Sequence, residues 1–490
     1  MASLLDFEGA SVPAGALWLA ATVVALLSLA VARLAFNALP SKRPPIFEGI
    51  PFIGGLLKFL APLPLLQQGY AKFGEVFTVP VLHKRITFLN GPYVTSHFFK
   101  ATDDIISQKE VYGFNVPTFG PGVVYDVDIK VRTEQFRFFA EALKASKLKE
   151  YQPLILGETK DFFSAWGETG IEELSSQMGS LVTLTASRTL LGREIREVLF
   201  AEVSRLLHDL DAGMLPVSFL FPYLPIQAHR QRDKSRKELG ALYKKVIEAR
   251  RASGAKETDL LQTFIDARYK NNFDGRALTD EEITGLLIAA LFAGQHTSSS
   301  TASWTGYYLI SRKEWWQQAV EEQRQIMAEH GEEITYERVQ NMPVLHRVMQ
   351  EALRLHPPLI LILRYVRESF EVTTKAGKTY VIPKGDVVAT SPTFTHSLPD
   401  LFKEPADFDP DRYLPPREED QKRPFTYIAF GGGRHGCMGY NFAFIQIKTI
   451  WSYLIRNFEF EMVDSFPEPD YEGLVIGPKQ SHIRYRRRKL

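Results

Sequence analysis

The chain has 490 residues, with 58 Lys and Arg against 57 Asp and Glu and 45% hydrophobic residues. A net charge of +1 offers no bulk electrostatic case for a nucleic-acid partner, and the length permits one large domain or two to three smaller ones. A single cysteine excludes an intramolecular disulfide framework and any four-cysteine zinc or iron–sulfur site within one chain.

Residues 9–32, GASVPAGALWLAATVVALLSLAVA, carry no charged side chain, and about 20 apolar residues suffice to span a bilayer as a helix. A cleaved signal peptide is the alternative. The residues before the run are acidic (Asp6, Glu8), however, and no small-x-small cleavage site ends it. Basic residues follow (Arg33, Lys42, Arg43), which places the large domain on the cytosolic side and the N-terminus in the lumen. The expected organisation is a luminal end and anchor at 1–33, a hinge at 34–55 stiffened by Pro40, Pro44, Pro45 and Pro51, and one domain at 56–490.

Residues 75–90 alternate apolar and polar and read as a β-hairpin. Helical patterns dominate from about 92 to 355. Residues 368–391 read as short strands turned at Ala376-Gly377 and Lys384-Gly385. With no internal repeat, the expected fold is mainly α with small β-sheets.

Within the helical part, GMLPVSFLFPYLPIQAH (213–229) is either a soluble-core loop or an entrance segment dipping into lipid. The next stretch, HRQRDKSRKEL, reads as a solvated basic helix face. Residues 281–310 form one long apolar helix capped by Thr279 or Asp280. Ala290, Ala293, Gly294, Thr297 and Thr301 share one small-residue face of it, the usual mark of close helix packing. Glu351 and Arg354 lie at i and i+3 on a helix ended by Pro357 and Pro358.

The run FGGGRHGCMG holds the lone Cys437 among glycines, ahead of a helical pattern. Taken alone, Cys437 is inert filler, a nucleophile or an axial haem ligand. A position before a helix N-terminus favours its thiolate, and Arg434 and His435 add positive charge.

This run resembles the F-x-x-G-x-[RH]-x-C-x-G haem loop of the cytochrome P450 family, with Phe430, Gly433, His435, Cys437 and Gly439 at its fixed positions. The resemblance implies haem b with Cys437 as the axial thiolate to iron, a ligand that favours O–O cleavage. AGQHTS (293–298) is similar to the family's oxygen-activation motif, with Thr297 as the alcohol and His296 where most members carry an acid. That departure resembles the sterol 14α-demethylase branch, in its plant and green-algal, obtusifoliol-type form. A buried histidine requires a partner to set its charge. Asp209 and Asp211 are the candidates, Asp211 preferred.

The resemblance further implies that Glu351, Arg354 and Arg412 form a structural lock. Tyr112, Tyr125, Arg364 and His435 would hold the haem, and Phe114, Tyr112, Phe119, Ala293, Leu361 and Ile476 would contact substrate. The implied activity is removal of a sterol 14α-methyl group as formate in three O2- and NADPH-dependent oxidations. The implied partners are NADPH–cytochrome P450 reductase, a sterol and membrane lipid at the endoplasmic reticulum. Other readings are a cytochrome P450 for a different lipophilic substrate, a haem-thiolate peroxygenase or isomerase without reductase, and a non-enzymatic carrier.

Overall fold

The structure is a computed structural model that describes residues 42–47, 62–81, 84–254, 256–270 and 275–490. The expected anchor at 9–32 and most of the hinge lie outside the described residues. Among those described, no helix is long and apolar enough to cross a membrane.

The hairpin forms as expected from β1 (Val76–Val81) and β2 (Lys84–Leu89) in antiparallel register. Helix α1 (Pro92–Lys100) follows, then the short β3 (Ile106–Ser107). The helical body includes α2 (Ile129–Ala142), α3 (Ala145–Ser164), α4 (Leu174–Ala186), α5 (Phe200–Ala212), α6 (Gln227–Ser253), α7 (Asp280–Ser311) and α8 (Pro343–Leu355), with β4 (Thr169–Glu173) between α3 and α4. Next come β5 (Ile362–Val366), β6 (Phe370–Thr373), β7 (Thr379–Ile382) and β8 (Val387–Thr390). The chain ends with α9 (Tyr440–Asn457), β9 (Phe458–Met462), β10 (Pro469–Asp470), β11 (Gly477–Pro478) and β12 (His482–Arg487).

The strands at 368–391 do not form one unit. β6 and β7 pair with each other, whereas β8 joins a five-stranded sheet of order β1-β2-β8-β5-β3. β2 and β8 run parallel there, and β5 lies antiparallel to β8. A three-stranded sheet, β4-β12-β9, closes the far side.

The central strut is α7, 32 residues long, packed against α4, α6, α8 and α9. Its start is a capping box: Thr279 Oγ1 accepts from Glu282 N at 3.1 Å, and the Glu282 carboxylate accepts from Thr279 N at 2.8 Å. Of the two candidate caps, Thr279 takes the role.

A buried ionic cluster fixes the layer beneath the Cys437 loop. Glu351 Oε1 accepts from Arg354 Nη2 (2.8 Å), Arg412 Nε (2.9 Å) and Asp409 N (3.0 Å); Oε2 accepts from Arg354 Nε (2.8 Å) and Tyr413 OH (2.8 Å). Glu351, Arg354 and Arg412 are all essentially inaccessible. An exposed i,i+3 pair contributes a few tenths of a kcal/mol, about 0.3–0.5. Here every partner is desolvated, so removing one leaves an uncompensated buried charge, at a cost of about 3–5 kcal/mol. The cluster extends to the loop itself. Arg354 O lies 3.1 Å from His396 Nδ1, and His396 Nε2 accepts from Ile428 N at 2.9 Å. Burial, with Arg354 nearby, pushes His396 down to about 3, so it stays neutral.

Candidate active site

The Cys437 loop is shaped by close backbone contact. Gly433 has φ +62°, and a β-carbon there would lie 2.1 Å from the Phe99 carbonyl oxygen at the end of α1. Only glycine permits both. Cys437 N donates to Phe430 O at 2.9 Å, and the Phe430 ring packs on Tyr440 at 4.7 Å. The Cys437 thiol remains accessible. The amides of Gly439 and Tyr440, at the start of α9, hydrogen-bond to its sulfur and favour thiolate. Burial among protein atoms outweighs them and raises the thiol's pKa, so the helix start alone does not secure the thiolate that the sequence suggests. A bound cation inverts that balance.

Arg132 of α2, Arg364 of β5 and His435 come together near Asp103. His435 Nε2 lies 2.8 Å from Asp103 Oδ1, and burial followed by the charge of Arg364 pushes the imidazole down. Burial depresses the pKa of both Arg364 and Arg132, which are nearly inaccessible. Arg434, in contrast, is mostly exposed and 3.9 Å from Asp103. Tyr112 and Tyr125 stack at 5.4 Å, and Arg132 lies over the Tyr125 ring at 5.1 Å. Arg132 Nε and His435 Nδ1 are buried without hydrogen-bond partners. Two buried guanidinium groups against one carboxylate leave a surplus of positive charge, with Arg132 Nε a free donor. The two propionates of a haem fit this set, and an accessible sulfur on the Cys437 loop fits its iron. Arg132 and Asp103 escaped the sequence reading.

On α7, Ala293 is exposed between buried Leu291 and Ser298, and a β-carbon on Gly294 would meet no atom within 4 Å. The small face therefore opens on space here, whereas Thr301 is packed. Thr297 Oγ1 donates to Ala293 O at 2.7 Å. His296 Nε2 lies 3.2 Å from Asp211 Oδ1, near the end of α5. This hydrogen bond raises the imidazole pKa against the opposing effect of burial. Asp209 faces elsewhere, accepting from Ser235 (2.7 Å) and Gln231 (3.0 Å).

Around this face, Phe119 contacts Phe292 of α7 edge-on at 6.1 Å. Phe114 contacts Tyr112 at 6.4 Å and Phe219 at 5.6 Å, linking the segment before α2 to the loop before α6. Ile476 is tied by its backbone to Ser300 Oγ (2.7 Å) and Pro358 O (2.8 Å). Leu361 is half-buried against the sheet cluster. It immediately precedes β5, which starts at Ile362 and carries Arg364 within it.

The fold and the thiol-centred site define the class. The chain belongs to the cytochrome P450 family, whose profile matches residues 44–484. It is 56% identical to obtusifoliol 14-alpha demethylase of Triticum aestivum, over 92% of this chain and 99% of that one. It is 53% identical to sterol 14-demethylase of Arabidopsis thaliana, over 96% and 97%. A retinoic acid bound cyanobacterial CYP120A1 structure superposes with a TM-score of 0.79, covering 91% and 99% at 23% identity, and attests the fold. Membership brings a haem iron with cysteine thiolate ligation, and O2 and NADPH-derived electrons as co-substrates.

Proposed function

We infer that the protein is a sterol 14α-demethylase. It removes the 14α-methyl group of a sterol precursor such as obtusifoliol as formate, in three successive oxidations. The observation that carries this reading is 53–56% identity, over nearly the whole length, to two obtusifoliol 14-alpha demethylases and a sterol 14-demethylase.

Haem, bound through Cys437, would supply the iron for the O2 chemistry, with electrons from NADPH delivered through a reductase. Arg132, Arg364, His435, Tyr112 and Tyr125 would hold its carboxylate edge. His296 Nε2 keeps a proton shared with Asp211 Oδ1, both about half-exposed at 41% and 45%, so the pair can be replenished from solvent. Thr297 directs its hydroxyl hydrogen to Ala293 O and presents an oxygen lone pair to the open face beside it. Phe114, Tyr112, Phe119, Ala293, Leu361 and Ile476 form the apolar wall that orients the sterol and excludes water.

Residues 9–32 anchor the enzyme in the endoplasmic reticulum membrane with the catalytic domain cytosolic. The segment at 213–229 adds a lipid contact, and its exposed Leu215, Val217, Phe221 and Tyr223 support that role. The physiological electron donor is NADPH–cytochrome P450 reductase.

The test is turnover of 14α-methyl sterols by purified enzyme with this reductase. Formate and the 14-demethylated sterol are expected in equal amounts. Oxidation of other lipids without formate release rejects the assignment.

A further inference from the structure

Val124 has φ +48°. For a β-branched residue this left-handed conformation is an outlier, and such strain persists only where the surroundings over-determine it. Asp126 ties the turn locally, its Oδ2 accepting from Gly122 N at 2.9 Å and its N donating to Val123 O at 3.0 Å, but the Val124 amide itself is held by one distant side chain. Gln135, fully buried on α2, accepts from Val124 N at 2.9 Å and donates to Gly122 O at 2.8 Å. Its nitrogen also lies 3.3 Å from Tyr269 OH, which in turn donates to Glu282 Oε1 at 2.9 Å in the capping box of α7. The residue after the strained one is Tyr125, stacked on Tyr112 and lying under Arg132. Arg132 and Gln135 are three positions apart on one helix and share a face.

We propose that Gln135 is a positioning residue for the haem edge: its amide holds the strained Val124 backbone and so fixes the pose of Tyr125. The inference rests on the reading of Tyr125 as a haem contact. Its chemistry requires an amide. One oxygen accepts from Val124 N while one nitrogen faces two acceptors, Gly122 O and Tyr269 OH. A carboxylate has the same shape but cannot donate to Gly122. Glycine at position 124 would adopt the same φ without strain and so make the clamp dispensable.

The experiment measures haem transfer from the holoenzyme to excess apomyoglobin, alongside the thermal midpoint. Gln135→Glu is expected to speed haem release about tenfold, the scale of a lost buried hydrogen bond. Adding Val124→Gly should return release to within about threefold of wild type, whereas adding Val124→Ala should not. Equal release in wild type and Gln135→Glu, or equal effects of glycine and alanine, overturns the proposal. If Gln135→Glu accumulates no holoenzyme, recovery of haem in the glycine double variant supports the clamp, and continued absence overturns it. Tyr125→Phe serves as a separate readout. Unchanged release in that variant rejects the haem-contact reading of its hydroxyl, whereas the Gln135 comparisons test the clamp itself.

Discussion

His296 on α7 and Asp211 on α5 are 85 residues apart in sequence and 3.2 Å apart in space. The bond raises the histidine pKa, so its imidazolium form persists above the usual range near 6.5. Stability from the pair is fully present below the unfolded-state pKa and is lost as pH rises through the raised folded-state value. Asp211→Asn removes the acceptor charge. The alkaline limb of the kcat profile should move to lower pH, with sterol binding spectra unchanged. An unmoved limb shows that the pair does not carry the proton.

Cys437→Ser replaces a soft thiolate donor by an alcohol. The reduced carbonyl complex should lose the red-shifted absorption typical of thiolate ligation. Retention of that band places the ligand elsewhere.

Glu351→Ala leaves the buried guanidinium groups of Arg354 and Arg412 without their shared carboxylate. Destabilisation of about 3–5 kcal/mol is expected, seen as a lower denaturant midpoint and reduced holoenzyme yield. Glu351→Gln should be milder, because the shape and one acceptor remain. A loss below about 1 kcal/mol in the alanine variant means that the cluster relaxes or admits water.

Phe114→Leu tests substrate choice. In the resembled family branch, phenylalanine here accompanies 4-monomethyl sterols. On the proposed reading, the ring would fill volume that a second C4 methyl group needs. Wild type should prefer obtusifoliol over lanosterol by roughly 10–200-fold in kcat/KM, the value of one methylene in a fitted pocket. The leucine variant should narrow or reverse this ratio. Lower thermal stability with an unchanged ratio assigns Phe114 to packing against Tyr112 and Phe219 alone.

Much of the site could be read from the sequence because its parts are local. The Cys437 loop, the 293–298 motif and the Glu351–Arg354 pair each occupy one short segment, where glycine usage and helical spacing carry the information. Helix geometry shows that Asp209 and Asp211 cannot both face His296, since residues two apart point to different faces; which of them does is set by how α5 packs on α7. Arg132 was missed for the opposite reason. Nothing around it in KVRTEQF separates a buried arginine from an exposed one; its burial depends on β5 and the 435 loop, which are more than 200 residues away. The split of the 368–391 strands between two sheets is likewise set by β2, not by their own sequence.

The contact between Gly433 and Phe99 has a consequence at the level of inheritance. Every missense change at codon 433 adds at least a β-carbon. With only 2.1 Å to a backbone carbonyl, no flexible side chain is there to yield. Conservative and radical alleles should therefore be equally null, Gly433→Ala as severe as Gly433→Arg. At codon 294, where an added methyl meets nothing within 4 Å, severity should instead grade with side-chain size.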